Sequence, residues 1–250
     1  MDRQTVIFDL DDTLIHCNKY FNEVLRRFAE RMGAWFPGIP DEAILRKQLE
    51  FDLEGVHRHG FKKERFPLSL IETYEYFCEL TGKKPVLSDK EWLYELGHDV
   101  YEQQFEPYPH MEETLEELKE RGNRLCLYTG GDPLVQKRKI EQLNLQTYFE
   151  KRIYIVQHKD TAAMRQVVKE TGGNPLNTWM VGNSARTDIL PALETGIHAI
   201  HIANETEWEY NRAEIRVKPK SVYVTVTSLK EVPDSIERHR VRPGGRFGGT

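Results

Sequence analysis

Six short apolar runs, each followed by glycines or polar residues, set the strongest limit on what this chain folds into. They are Thr5–Phe8, Arg124–Tyr128, Ile153–Val156, Thr178–Val181, His198–Ile202 and Val222–Val226. Each is four or five residues long and rich in β-branched or aromatic side chains, so each reads as a buried strand. From Pro109 onward, segments of helical spacing separate them: 110–121, 133–143, 161–170 and 189–194. Pro133 near a first turn, and Gly122 and Gly172-Gly173 past the ends, punctuate these helices. Strands alternating with helices predict an α/β fold, a doubly wound parallel sheet.

Between the first run and the second the rhythm differs. Residues 19–32 place Phe21, Val24, Leu25 and Phe28 at helical spacing, and Gly33 to Pro40 is expected to break that helix. Helical patterns recur over 41–51, 67–80 and 88–105, with Asp41 and Ser88 as expected N-caps. No strand pattern interrupts them. This stretch therefore reads as an all-helical insertion. The expected division is a core of residues 1–15 and 110–232, a helical block of 16–109, and a flexible Arg/Gly-rich tail of 233–250.

Composition narrows the classes. With 35 basic against 40 acidic residues the formal charge is −5, which argues against a nucleic-acid partner. No run approaches the ~20 apolar residues of a membrane span, so no membrane partner is expected. No basic segment leads into a long apolar one at the start, and three scattered cysteines form no disulfide framework. The expected location is the cytoplasm.

Ligands of open parallel sheets bind beyond the carboxyl ends of the strands. Four of the strands end in polar chemistry. The first runs into Asp9 and Asp11, and the second into Thr129 and Gly130. Lys159 follows the third. Gly182-Asn183-Ser184 follows the fourth, with Asp188 shortly after. Carboxylates, a hydroxyl beside backbone amides and an ammonium suit a divalent cation held together with a phosphate. Other chemistries lack their motifs: there is no GxxxxGK[ST], no GxGxxG, no HExxH and no Cys-rich zinc pattern. An EF-hand loop starting at Asp9 fails, because Leu14 and Tyr20 stand where Gly and Glu are required.

These residues carry a resemblance. Phe8-Asp9-Leu10-Asp11-Asp12-Thr13-Leu14 resembles the first motif of the haloacid dehalogenase-like hydrolase superfamily. Thr129, Lys159 and the segment Gly182 to Asp188 are similar to its second, third and fourth motifs, in the same order. The helical block matches the family's all-helical cap. The resemblance implies a Rossmann-like core and a Mg²⁺-dependent phosphatase acting on a small phosphorylated metabolite. Asp9 would be the nucleophile that becomes an aspartyl-phosphate. Asp11 would be the acid and base. Thr129, Gly130 and Lys159 would hold the phosphoryl group. Asp9, Asp11, Asn183 and Asp188 would surround Mg²⁺. Asp11 favours phosphoryl transfer over dehalogenation, because a departing halide needs no proton. Asn183 departs from the family's usual acid and predicts weaker metal binding. Two alternatives stand beside the phosphatase: a phosphomutase of sugar phosphates, and a non-catalytic binding protein with a degenerate site. In the helical block, 56–65 is rich in cationic and aromatic groups, while Tyr20, Trp35 and Phe36 are expected to serve core packing.

Overall fold

The computed structural model describes residues 3–203, 208–216 and 221–240. Strand β1 (Thr5–Phe8) leads into four helices: α1 (Asn18–Trp35), α2 (Asp41–His59), α3 (Arg65–Thr81) and α4 (Leu87–His98). Next come α5 (Met111–Glu120), β2 (Arg124–Gly130), α6 (Pro133–Gln142), the one-turn α7 (Gln146–Phe149), β3 (Ile153–Val156) and α8 (Thr161–Glu170). The chain ends with β4 (Thr178–Gly182), α9 (Leu190–Thr195), β5 (His198–Ile202), β6 (Tyr223–Val226) and α10 (Val232–Arg238).

The six strands form one sheet in the order β3-β2-β1-β4-β5-β6, and every neighbouring pair is parallel. This is an α/β, Rossmann-like sheet with helices on both faces. Period-two alternation explains the layering. Val6, Phe8, Leu125, Leu127, Trp179 and Val181 face one side, where Leu115, Leu118, Ile140 and Ile236 cover them. Ile7, Cys126, Tyr128 and Met180 face the other, against Met164, Val167 and Leu193. The chain moves outward from β1 through β2 to β3, then returns across β1 to build β4, β5 and β6. That reversal puts the carboxyl ends of β1, β2 and β4 side by side at a switch point, where a ligand crevice opens.

The helices between β1 and β2 have a core of their own. Val24, Phe28, Met32, Ile44, Leu70, Tyr74, Phe77 and Leu93 pack together there. Trp35 and Phe36 pack at a tilt against Tyr74, and Tyr20 packs edge-on to Phe105, so these aromatics serve packing.

Several boundaries differ from the sequence reading. Helix α1 continues through Gly33 to Trp35, because Met32 and Phe36 are anchored in the helical core and outweigh the glycine's propensity cost of about 1 kcal/mol. Helix α2 extends to His59, where Gly60 at φ 72° ends it. Asp41 and Ser88 cap nothing: the N-cap positions are Pro40 and Val86, and neither end has a side-chain cap. Order continues past 233, since α10 buries Val232 and Ile236 in the core on one side of the sheet. The remainder of the expected tail, 241–250, lies outside the described residues.

Candidate functional site

Strand β1 pairs with its neighbours on both sides and is fully buried, so the turn at its carboxyl end is fixed. The three acids of that turn diverge. Asp12 adopts a left-handed φ of 58° and turns back: its carboxylate accepts the Cys17 amide at 2.9 Å and the Asn18 amide at 3.0 Å, at the start of α1. All three acids line a cavity of about 600 Å³ between the sheet and the helical block, but the Asp12 carboxylate is engaged by those two amides. Burial pushes the Asp12 carboxyl up to about 6, against the two amides that stabilise its charged form.

Gly130, Lys159, Asn183 and Asp188 line the same cavity. The Lys159 ammonium lies 2.6 Å from Asp9 Oδ1 and also contacts Asp188 Oδ1. Burial works against this ammonium, yet Asp188 and Asp9 together hold its pKa above the ordinary lysine value. Asp9 is 5% exposed. Its carboxyl is pushed up to about 7 by burial, which Lys159 opposes and the nearby Asp188 and Asp11 reinforce. Asp188 is positioned in turn by the Ser184 amide, which donates to its Oδ2 at 3.0 Å. A wide helical turn over Ala185–Ile189 brings it there.

Thr129 is placed differently. It is fully buried and does not line the cavity. Gln136 Nε2 stands before it, 2.6 Å from its hydroxyl and 2.9 Å from Asp11 Oδ2. The other oxygen of Asp11 meets Lys139 Nζ at 2.7 Å. Lys139 is buried, and its ammonium also lies over the Phe105 ring. The sequence reading missed both Gln136 and Lys139. The signal was their i, i+3 spacing on the helix that follows Thr129-Gly130, which puts them on one face.

The donor set fits Mg²⁺. Thr13 has a single hydroxyl proton, yet Asp9 Oδ2 at 3.0 Å and Asn183 Oδ1 at 3.2 Å both approach it. One oxygen is thus left without a donor. Asn183 Nδ2 is buried without a partner among the described residues. Turning the amide over would leave its oxygen in that place instead. Among the described residues no three acidic, His or Cys side chains form a metal cage by themselves. Mg²⁺ does not need one, because it keeps several waters and takes one or two carboxylates with a substrate phosphate.

The helical block roofs the cavity. The Phe61 amide donates to the Gln157 carbonyl at 3.1 Å, and its ring packs edge-on to Tyr210. A Cβ at Gly130 would come within 3.0 Å of that ring, a tight contact that glycine avoids. Lys62, Lys63 and Arg65 also line the cavity.

A parallel switch-point sheet, an Asp-x-Asp turn at its central strand and a buried lysine between two carboxylates define a hydrolase-type site on a Rossmann-like core. The haloacid dehalogenase-like hydrolase family model matches residues 4–196, and the chain belongs to that family. A glyceraldehyde 3-phosphate phosphatase of Methanothermobacter thermautotrophicus is 24% identical over 239 residues, covering 92% of this chain and 99% of that protein. A haloacid dehalogenase-like hydrolase structure from Xanthomonas campestris superposes with a TM-score of 0.76 at 23% identity, covering 95% and 96% of the two chains. The HAD-hydrolase YfnB of Bacillus subtilis, solved bound to magnesium, has a TM-score of 0.65 at 16% identity, covering 94% and 100%. Among the described residues no helix is long and apolar enough to cross a membrane.

Proposed function

We propose that the chain is a Mg²⁺-dependent phosphatase of a small phosphorylated metabolite, working through an aspartyl-phosphate on Asp9. The observation that carries this reading is the pair Asp9 and Asp11 on one turn, both facing the cavity, with Lys159 on the first and Lys139 on the second. The phosphatase relative and the magnesium-bound neighbour support it.

In this reading a carboxylate oxygen of Asp9 attacks phosphorus and the P–O bond to the alcohol breaks. Asp11 gives its proton to the departing oxygen. A water then attacks the aspartyl-phosphate, Asp11 takes its proton, and inorganic phosphate leaves with Asp9 restored. Lys159 and the Gly130 backbone would hold phosphoryl oxygens, with Thr129 joining once Gln136 releases its hydroxyl. Lys139 and Gln136 fix the rotamer of Asp11. Asp9, Asp11, Asn183 and Asp188 would hold Mg²⁺, which when bound offsets the repulsion between phosphate and nucleophile. The helical block 16–109 would act as a cap over the core of 1–15 and 110–232. The three cysteines are buried and free, which suits the cytoplasm.

Hydrolysis of an aryl phosphate with MgCl₂ present tests the reading. Asp9→Asn is expected to lower the rate at least ~10³-fold. Equal turnover by wild type and Asp9→Asn would reject the mechanism.

A further inference from the structure

Part of the roof is apolar: Leu25, Leu45, Leu49, Val56 and Phe66 contribute to it. One carboxylate stands among them. Asp52, on α2, is only 8% exposed and faces the cavity. No hydrogen-bond donor and no cation within 4.0 Å engages it among the described residues. Arg65 acts on it only from further away. That guanidinium is committed to Glu72 at 3.2 Å, and its Nε is buried without a partner.

Gln48 precedes Asp52 by one helical turn and shares its face of α2. The Gln48 amide nitrogen donates to Ser69 Oγ at 2.9 Å. What it presents to a ligand is therefore its oxygen. Both side chains line the cavity from α2, beside Leu45, Leu49 and Val56. A leucine would serve packing at this position with no desolvation cost. A buried carboxylate kept without a partner marks a place where a partner arrives with the ligand.

We propose that Asp52, with the Gln48 oxygen beside it, is the subsite that reads the part of the substrate distal to the phosphate. It takes a hydrogen-bond donor, a hydroxyl or an ammonium group. Phosphorylated polyols or amino alcohols fit; phosphorylated carboxylic acids do not. The inference rests on the phosphatase reading and names its substrate class. Lys62, Lys63 and Arg65 also line the cavity, so the discrimination rests on the two acceptors: a tail without a donor would leave both unpaired. Volume agrees, because about 600 Å³ holds a metabolite of this size with water to spare.

The test compares kcat/KM of the full chain with Mg²⁺ for glycerol 3-phosphate, ethanolamine phosphate, phosphoglycolate and an aryl phosphate. Wild type and Asp52→Asn are measured side by side; the replacement matches Asp in shape and carries no charge. Wild type is expected to favour glycerol 3-phosphate or ethanolamine phosphate over phosphoglycolate by ~100-fold or more. Asp52→Asn should shrink that ratio at least ~10-fold, chiefly through KM. A larger loss for ethanolamine phosphate than for glycerol 3-phosphate identifies the ammonium, since Asn still accepts from a hydroxyl; equal losses identify the hydroxyl. If wild type hydrolyses the aryl phosphate but prefers phosphoglycolate, or if Asp52→Asn leaves every ratio unchanged, the subsite is wrong and the phosphatase reading stands. A wild type inert toward all four esters overturns both.

Discussion

Asp52→Asn also has a stability signature, independent of catalysis. Burial pushes the Asp52 carboxyl up to about 7 from the ordinary 3.8, with Arg65 opposing and Glu72 reinforcing. Both residues face it from α3, and the buried Tyr101 phenol lies near enough for Asp52 to help raise its pKa beyond what burial does. A carboxyl that holds its proton more tightly when folded favours the fold at low pH. Its contribution is complete below the unfolded pKa near 3.8 and is lost as pH rises through 7. Three units at about 1.36 kcal/mol each set a ceiling of ~4 kcal/mol. Water entering the cavity reduces this, and about 2 kcal/mol is a fair expectation between pH 5 and 8. Asn has no charge to bury. Urea unfolding at the two pH values should therefore show the variant more stable than wild type by a margin that widens toward pH 8, with the same m-value. Asp9 and Asp12 titrate in both proteins and cancel in the difference. A margin that is constant, or narrows as pH rises, would refute the claim that this carboxylate is buried without a counter-ion.

Three further outcomes follow from the geometry. Asn183→Asp places another charge beside Asp9 and should lower the Mg²⁺ concentration for half-maximal thermal stabilisation at least ~10-fold; an unchanged or higher concentration would contradict the proposed metal donors. Lys139→Met removes the ammonium 2.7 Å from Asp11 and should lower kcat about 10²-fold with little change in KM, part of it recovered by Lys139→Arg. Steady-state kinetics in which KM carries the loss would show that Lys139 does not position Asp11. In Gly97→Ala the new methyl would sit 2.5 Å from Pro67 Cα, at the tight crossing of α3 and α4. The expected cost is about 1–3 kcal/mol in a thermal or urea melt, and an unchanged midpoint would mean the helices separate freely.

The sheet was legible because buried strands announce themselves locally. Short β-branched runs such as Thr5–Phe8 and Ile153–Val156 coincide with strands, since each is set by its own composition. Helix ends were less legible. Asp41 and Ser88 have the chemistry of caps, but the chain enters α2 and α4 one or two residues earlier than a capping side chain would need. Gly33 looked like a stop, and aromatic packing on either side carried the helix through it.

At the candidate site, the lining residues Asp9, Asp11, Lys159, Asn183 and Asp188 were legible in the sequence, because all follow strands and a parallel sheet brings strand ends together whatever lies between them. Which acid of the first turn is tied to the backbone was decided by its geometry, because the left-handed Asp12 accepts amides at the start of α1. Helical spacing puts Gln136 and Lys139 on one face, but what that face meets belongs to the tertiary structure. Gln136 meets Thr129 and Asp11 across 7 and 125 residues, and Lys139 meets Asp11 across 128. Asp52 is in sequence an ordinary helical acid among Leu49, Phe51 and Leu53. Periodicity can place a residue on a face of its helix, but only tertiary packing decides that this face lines the cavity that Asp9 also lines. Burial without a partner is a property of the surroundings, and the surroundings come from residues far away in the chain.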